Sequence, residues 1–363
     1  MNEARDIVKM ALPFTVGIIS FSCLPSGIKY AYFAAGTSML MLTTLLFLFL
    51  WQTHKNRDTA QWVVISLGFI VGLYIRATGE LTSLTGGGST WTFAEHIGST
   101  MQTWIDNIGF HNGHTNAVMK ALLTGNRKDI PTETINAFRT SGASHILALS
   151  GLHLGIIYMI VSRTLSTIGN SPRAKALRAI TCIAICATYS FATGAGASII
   201  RALIFITVRE IGMLLHRTQN LKTTIASSLI IHLTIWPADI SSIGFQLSYA
   251  AIAGIAWIHP RISGLWPDDG EGKTLMRRIW ESASVSISCQ LTTGPLAWHY
   301  FGTFPQYFML TNLIALPLTA IIIPVSLLTM LLHAADICPD FLTFCTEKLI
   351  DTLCWALSVI ASM

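Results

Sequence analysis

The chain has 363 residues, of which 52% are hydrophobic and only 11% charged, and its mean hydropathy is +0.57. Soluble domains carry about 25% charged residues, so this composition excludes an ordinary soluble domain and puts the chain in the membrane class. The formal net charge of +5 is what basic cytoplasmic loops give a membrane protein, and does not by itself call for a nucleic-acid partner.

Most of the chain should therefore be helices of about 20 apolar residues, the length that crosses a hydrocarbon layer about 30 Å thick. Residues 1–76 read as an N-terminal transmembrane bundle of three spans, at 7–24, 30–51 and 60–75. Pro13 should kink or shorten the first, and Gly68 and Gly72 form a small-xxx-small pair in the third. Glu3 and Asp6 precede the first span without a cleavage pattern, so it is expected to stay as an anchor. Residues 77–126 break the hydropathy and read as a periplasmic amphipathic linker, partly helical and on the surface. They hold Gly86-Gly87-Gly88, and Trp91, Trp104 and Phe110 are spaced like interface anchors. His111 and His114 lie three apart, but a tetrahedral metal site needs about four convergent ligands and none follow, so they read as a surface pair. The seven cysteines show no metal-ligand spacing, and Cys182 and Cys186 read as small buried hydrophobes. Neither a metal nor any other cofactor is expected.

Residues 127–363 read as the transmembrane core, with spans at 144–168, 177–193, 198–215, 221–236, 241–258, 275–298, 306–332 and 341–360. A break is expected near Ser150-Gly151 and an interruption at Gly294-Pro295. The stretch 306–332, with Pro317 and Pro324, is longer than one crossing needs and is expected to be re-entrant in part. The predicted fold class is all-α: a polytopic integral membrane helical bundle of about 10–11 transmembrane helices, some broken or re-entrant.

Basic residues orient this bundle. With the N-terminus, Arg5 and Lys9 in the cytoplasm, Lys55, Arg57, Arg173, Lys175, Arg178, Arg217, Lys222, Arg261, Lys273, Arg277 and Arg278 fall on the same side. The short opposite loops near Gly194, Ala238 and Gly302 carry none, as the positive-inside rule requires. Lys29, Arg127, Lys128 and Arg139 run against it, the last three beside a long segment, where the rule is weaker.

The stretch 129–161 organises the core. Pro131 and Gly142 are start and stop signals for a short helix carrying Ile135 and Phe138. Beyond Gly142 the chain turns apolar but keeps His145, Ser150 and His153, polar groups that at membrane depth face a bundle interior, a cavity or each other. Gly151 and Gly155 form a second small-xxx-small pair, read as helix-packing positions.

The run GASHILALSGLHLG at 142–155 resembles the signature of the ComEC family of competence membrane proteins. GASIIRALIF at 196–205, ADISSIGFQLSYAAIAGI at 238–255 and CQLTTGPLAWHYFGTFPQYFMLTNLIALPL at 289–318 resemble the same family's core in the same order. The resemblance implies a channel passing single-stranded DNA across the bacterial inner membrane during natural transformation. It implies no catalytic residue here. The family's oligonucleotide-binding fold does not fit the linker, and the HxHxDH motif of its metallo-β-lactamase-like domain does not occur. Implied partners are single-stranded DNA, the lipid bilayer, a separate nuclease-domain protein and other competence proteins, with a homo-oligomer left open.

His145, Ser150, His153, Arg201, Gln246, Gln290 and Asn312 are the expected lining of a DNA path. Two readings of Arg201 stand: a cation for phosphates, or an arginine near a helix end snorkelling to the interface. The three amides equally suit bonds between helices. Ser150 and His153, three apart, also suit an intramembrane hydrolase, though no orienting carboxylate or nucleophile elbow accompanies them. A third reading is a degenerate fragment without transport activity.

Overall fold

A computed structural model describes residues 2–22, 68–69, 71–72, 92–169, 171–215, 220–266, 275–302 and 307–363. The expected second span, most of the third, the Gly86–Gly88 run and the turn at 267–270 lie outside the described residues. All regular elements among the described residues are helical. The chain divides into two compact units, Met1–Ser89 with Thr207–Tyr249, and Thr90–Ile206 with Ala250–Met363.

The first unit is built on α1 (Asn2–Ser22) and α9 (Leu221–Ile235). Phe14 and Ile18 are fully buried with Leu233, and Ile240 and Phe245 complete that core. Gly72 is there for close approach: a Cβ would overlap the carbonyl oxygen of Phe14, and one at Gly68 would stand 3.0 Å from the Met10 side chain. The small-xxx-small pair read from the sequence thus lies on α1. Asn220 caps α9 by accepting the Lys222 N–H at 3.0 Å. The helix ends at Trp236, ahead of Pro237 and a 3-10 turn over Pro237–Ser241. Pro13 sits inside α1 without ending it.

The second unit begins with α2 (Thr92–Asp106), α3 (Gly113–Thr124) and α4 (Thr132–Thr140). The short α5 (Ser144–Leu147), then α6 (Gly151–Leu165) and α7 (Pro172–Ala192), follow. Helix α8 (Ala197–Leu214) starts in this unit and ends in the first. Helix α10 (Ile243–Ala253) starts in the first unit and ends in this one, leading into a five-residue π turn, Gly254–Ile258, then α11 (His259–Ser263). Two 27-residue helices, α12 (Leu275–Phe301) and α13 (Phe308–Ala334), precede α14 (Asp340–Ala361).

Helix α3 lies at the centre of this unit, packed by α2, α13 and α14. Val118, Met119, Leu122 and Leu123 are fully buried. Where the sequence suggested a surface segment, the structure puts a core helix. Its weak amphipathic pattern follows from burial all round. Asn112 caps it, accepting the His114 N–H at 3.2 Å, and Gly125 ends it at φ +78°. Pro131 and Gly142 bracket α4 as expected, with Gly142 at φ +85°.

Two expectations about interruptions are corrected. Helix α12 runs through Gly294-Pro295, and α13 runs unbroken through Pro317 and Pro324, so 308–334 is a single long helix and not a re-entrant one. Each proline removes one backbone bond, which a helix of this length absorbs when neighbours cover the freed carbonyl. Among the described residues two helices, Pro172–Ala192 and Phe308–Ala334, with mean hydropathies of 1.2 and 2.3, are long and apolar enough to cross a membrane. Ile7–Ser20, Gly151–Leu165 and Leu221–Ile235 are shorter apolar helices.

Candidate functional site

The chain breaks between α5 and α6, where the sequence placed the break. Ala148 and Ser150 are extended, at φ −77° and −120°, and α6 starts at Gly151. Ser150 and His153 form a capping box at that start. The Ser150 backbone N–H donates to His153 Nδ1 at 3.3 Å, and Ser150 Oγ lies 2.9 Å from the same nitrogen. A nitrogen that accepts from a backbone N–H carries no proton, so the serine hydroxyl also donates to it. The neutral ring then holds its proton on Nε2. His153 is fully buried, and Nε2 has no hydrogen-bond partner among the described residues.

His145, eight residues earlier, has the opposite tautomer. Its Nδ1 donates to the Gly142 carbonyl at 3.1 Å, which leaves Nε2 as the bare nitrogen of the neutral ring. His145 is exposed. Two neighbouring histidines are thus held in complementary states, one presenting an acceptor and the other a donor.

Within the second unit, contacts link three of the four family-like stretches, one of them through Ser141 just ahead of the first. A Cβ on Gly151 would stand 3.3 Å from the Ala202 side chain, so α6 begins against the first turns of α8. Arg201, the preceding residue on α8, is 5% exposed. It does not extend to the protein surface, as a snorkelling arginine does. On the other side, Thr311 Oγ1 donates to the Ser141 carbonyl at 2.7 Å, which ties the first turn of α13 to the chain entering α5. Asn312 follows directly, and its Oδ1 is buried without a hydrogen-bond partner among the described residues. Gly155, expected at the same contact as Gly151, has nothing among the described residues within 4 Å of where a Cβ would stand.

Among the described residues neither glutamine has a contact with the residues at the break. Gln290 is the one polar residue lining a cavity of about 410 Å³ formed by Ile287, Leu291, Gly294, Pro295 and Trp298 of α12 with Phe308 of α13. Gln246 belongs to the first unit, where its amide donates to the Ile240 carbonyl at 3.0 Å and steadies the 3-10 turn.

The structure adds three polar pairs that sequence reasoning did not find. Lys120, buried in α3, donates to Asp129 and pairs with Asp106, both at 2.7 Å. Burial disfavours its charge, but the two carboxylates outweigh that and raise its pKa above 10.5. Glu347 of α14 is 5% exposed and accepts the backbone N–H groups of Asn112 and His111 at 3.1 and 3.4 Å. In the first unit His232 Nε2 lies 2.9 Å from Asp239 Oδ2, with Phe245 edge-on at 5.1 Å. The signal in each was a polar or charged side chain on a largely apolar helix. Their partners, up to 236 residues away, carried no local pattern.

Together these features define a strongly apolar protein, all-helical among the described residues, with an interrupted helix that keeps the buried His153 at its break. The chain belongs to the Competence protein family: residues 122–363, more than half of it, match the family model of that description. It is similar to ComE operon protein 3 of Bacillus subtilis (strain 168), at 27% identity over 207 residues, 57% of this chain and 24% of that relative. The chain thus spans only about a quarter of the curated relative's length over the match. No solved structure matches it.

Proposed function

We propose that this chain is the membrane core of a ComEC-type DNA uptake protein, passing single-stranded DNA across the bacterial inner membrane during competence, with its N-terminus in the cytoplasm. The observation that carries the reading is the broken helix at 148–150. Gly151 at the break meets Ala202 of α8, next in sequence to the buried Arg201, and Ser141 ahead of the break meets Thr311 of α13, next in sequence to Asn312. Non-helical backbone at membrane depth is tolerated where it is buried in protein or lines a wet cavity. Conduction requires polar groups that replace hydration without holding the substrate. The partners in this reading are single-stranded DNA, the bilayer, a separate nuclease-domain protein and other competence proteins, with self-association into a homo-oligomer as a further arrangement.

The hydrolase reading is weaker. The Ser150 hydroxyl is held by Nδ1 of a histidine whose other nitrogen has no carboxylate partner among the described residues, and a capping box accounts for both side chains. We therefore propose a transporter and not an enzyme.

Complementation of a transformation-deficient host lacking its own ComEC-type protein, with a nuclease domain supplied, tests this. Arg201→Ala should cut uptake of labelled DNA while the protein still inserts, and Arg201→Lys should recover part of it. Ser150→Ala should retain uptake; complete loss in a well-inserted protein would favour the enzyme. No uptake by the wild-type chain leaves the degenerate-fragment reading.

A further inference from the structure

We propose that α2 and α3 form a re-entrant hairpin that dips into the membrane from the outer face and lines a water-filled entry vestibule for the DNA strand, an arrangement that rests on the membrane reading above. Side chains set the antiparallel register of the pair. The Asn126 amide donates to Gln102 Oε1 at 3.0 Å, and Lys120 pairs with Asp106 at 2.7 Å. Nearer the turn, the Asn116 amide donates to the Ile108 carbonyl at 3.4 Å.

The two long apolar helices, α7 and α13, give the depth. The open end of the hairpin lies at the end of α7. A Cβ on Gly98 would overlap the Ala192 carbonyl oxygen, and the Tyr189 hydroxyl donates to the Leu123 carbonyl at 2.8 Å. The tip lies near the far end of α13. Glu347 accepts the Asn112 N–H at 3.1 Å, and its neighbour Thr346 lies 2.8 Å, hydroxyl to hydroxyl, from Thr329 of α13. Thr329 is about 27 Å along α13 from Thr311, at about 1.5 Å per residue. Helix α7 ends and α13 begins beside the Gly194 and Gly302 loops, which carry no basic residue and so mark the same outer face. The hairpin enters there and points toward the opposite face. The 12 residues of α3 rise about 18 Å, more than half of a hydrocarbon layer about 30 Å thick.

Charge on the hairpin shows that water reaches it. Asp106 and Asp129 pair with Lys120 yet stay 51% and 55% exposed. At the tip His111 is 90% exposed, and Lys348, next to the buried Glu347, is 60% exposed. Ionisable groups at membrane depth face a bundle interior or a water-filled cavity. Arg127 and Lys128, just past the open end, and Arg139 at the end of α4 are exposed, with no ion pair among the described residues. These are the outer basic residues that membrane orientation leaves unexplained, and an entering phosphate strand accounts for them.

Labelling tests the hairpin in the full chain without native cysteines. His96→Cys and Gly109→Cys place thiols at exposed positions near the open end and the tip, and at Gly109 nothing among the described residues stands within 4 Å of a Cβ. Maleimides take the thiolate, which needs water. From outside the cell, an impermeant maleimide should modify His96→Cys at least about tenfold faster than Gly109→Cys, and in inverted vesicles the order should reverse. Equal reaction of both from one side overturns the hairpin. For the strand, Arg127→Gln combined with Lys128→Gln should lower the salt slope of oligo(dT) binding in detergent by about 1.4, two phosphate contacts at about 0.7 each. An unchanged slope overturns the vestibule as the entry for DNA. Same-side labelling of a chain that still imports DNA overturns this inference alone. A wild-type chain that imports no DNA while the labelling holds removes the proposed function and leaves the hairpin in place.

Discussion

Thr311 and Ser141 are joined by a buried hydrogen bond of 2.7 Å that spans 170 residues of sequence, from the first turn of α13 to the chain entering α5. The bond satisfies a carbonyl just beyond the end of α4, where no intrahelical donor follows. Thr311→Val keeps the shape and removes the donor. It should cost about 1–3 kcal/mol in detergent unfolding, the penalty for a stranded buried acceptor, and Thr311→Ser should restore most of that. Equal stability of the valine variant would mean that this junction contributes nothing to the fold.

The glycines divide by their neighbours. Gly72→Ala and Gly151→Leu should lower both yield and thermal midpoint, the first by overlap with the Phe14 backbone and the second by pushing α6 from α8. Gly155→Leu should leave both unchanged, since nothing among the described residues stands within 4 Å of a Cβ there. A large loss at position 155 would place an unseen partner on that face.

Lys120 sets an alkaline limit. Its pKa is raised in the folded protein above 10.5, the reference for the unfolded chain. The stabilisation is therefore fully present below pH 10.5 and is lost as pH rises through the folded value. Thermal midpoints measured from about pH 9 to 12 should fall across the upper part of that range for wild type. In Lys120→Met this step should vanish, and the midpoint at neutral pH should be lower because Asp106 and Asp129 lose their partner.

Orientation can be read by labelling from outside in a background without native cysteines. A cysteine at Gly87 should react, and one at Asn56 or Asp269 should not, because basic loops favour the cytoplasm. The reverse pattern would invert the bundle.

Local signals proved readable and long-range ones did not. Pro131, Gly142 and the break at Ser150-Gly151 are short-range chemistry, and each appears where the residues put it. So does the Gly68/Gly72 pair. Pro295 and Pro317 misled because a proline marks a lost hydrogen bond but not whether neighbours cover it. The burial of α3 was hidden because its polar residues, Lys120 among them, are matched by partners from other elements. For the candidate site, the sequence offered His145, Ser150 and His153 as a group. The opposing tautomers needed the partner of each Nδ1, and the neighbours of Gln290 needed the packing of α12 on α13.

The grip of Glu347 on the amides of His111 and Asn112 has a consequence for biosynthesis. The amides leading into α3 emerge from the ribosome 236 residues before the carboxylate that receives them. At about 5–20 residues per second the delay is on the order of ten to fifty seconds. Through that interval the start of the central helix waits without its final acceptor, and the nascent chain must shelter it in water, in the translocon or in a temporary pairing. A released chain truncated just before Glu347 should leave α3 open to protease at its first turn, and the full chain should close it.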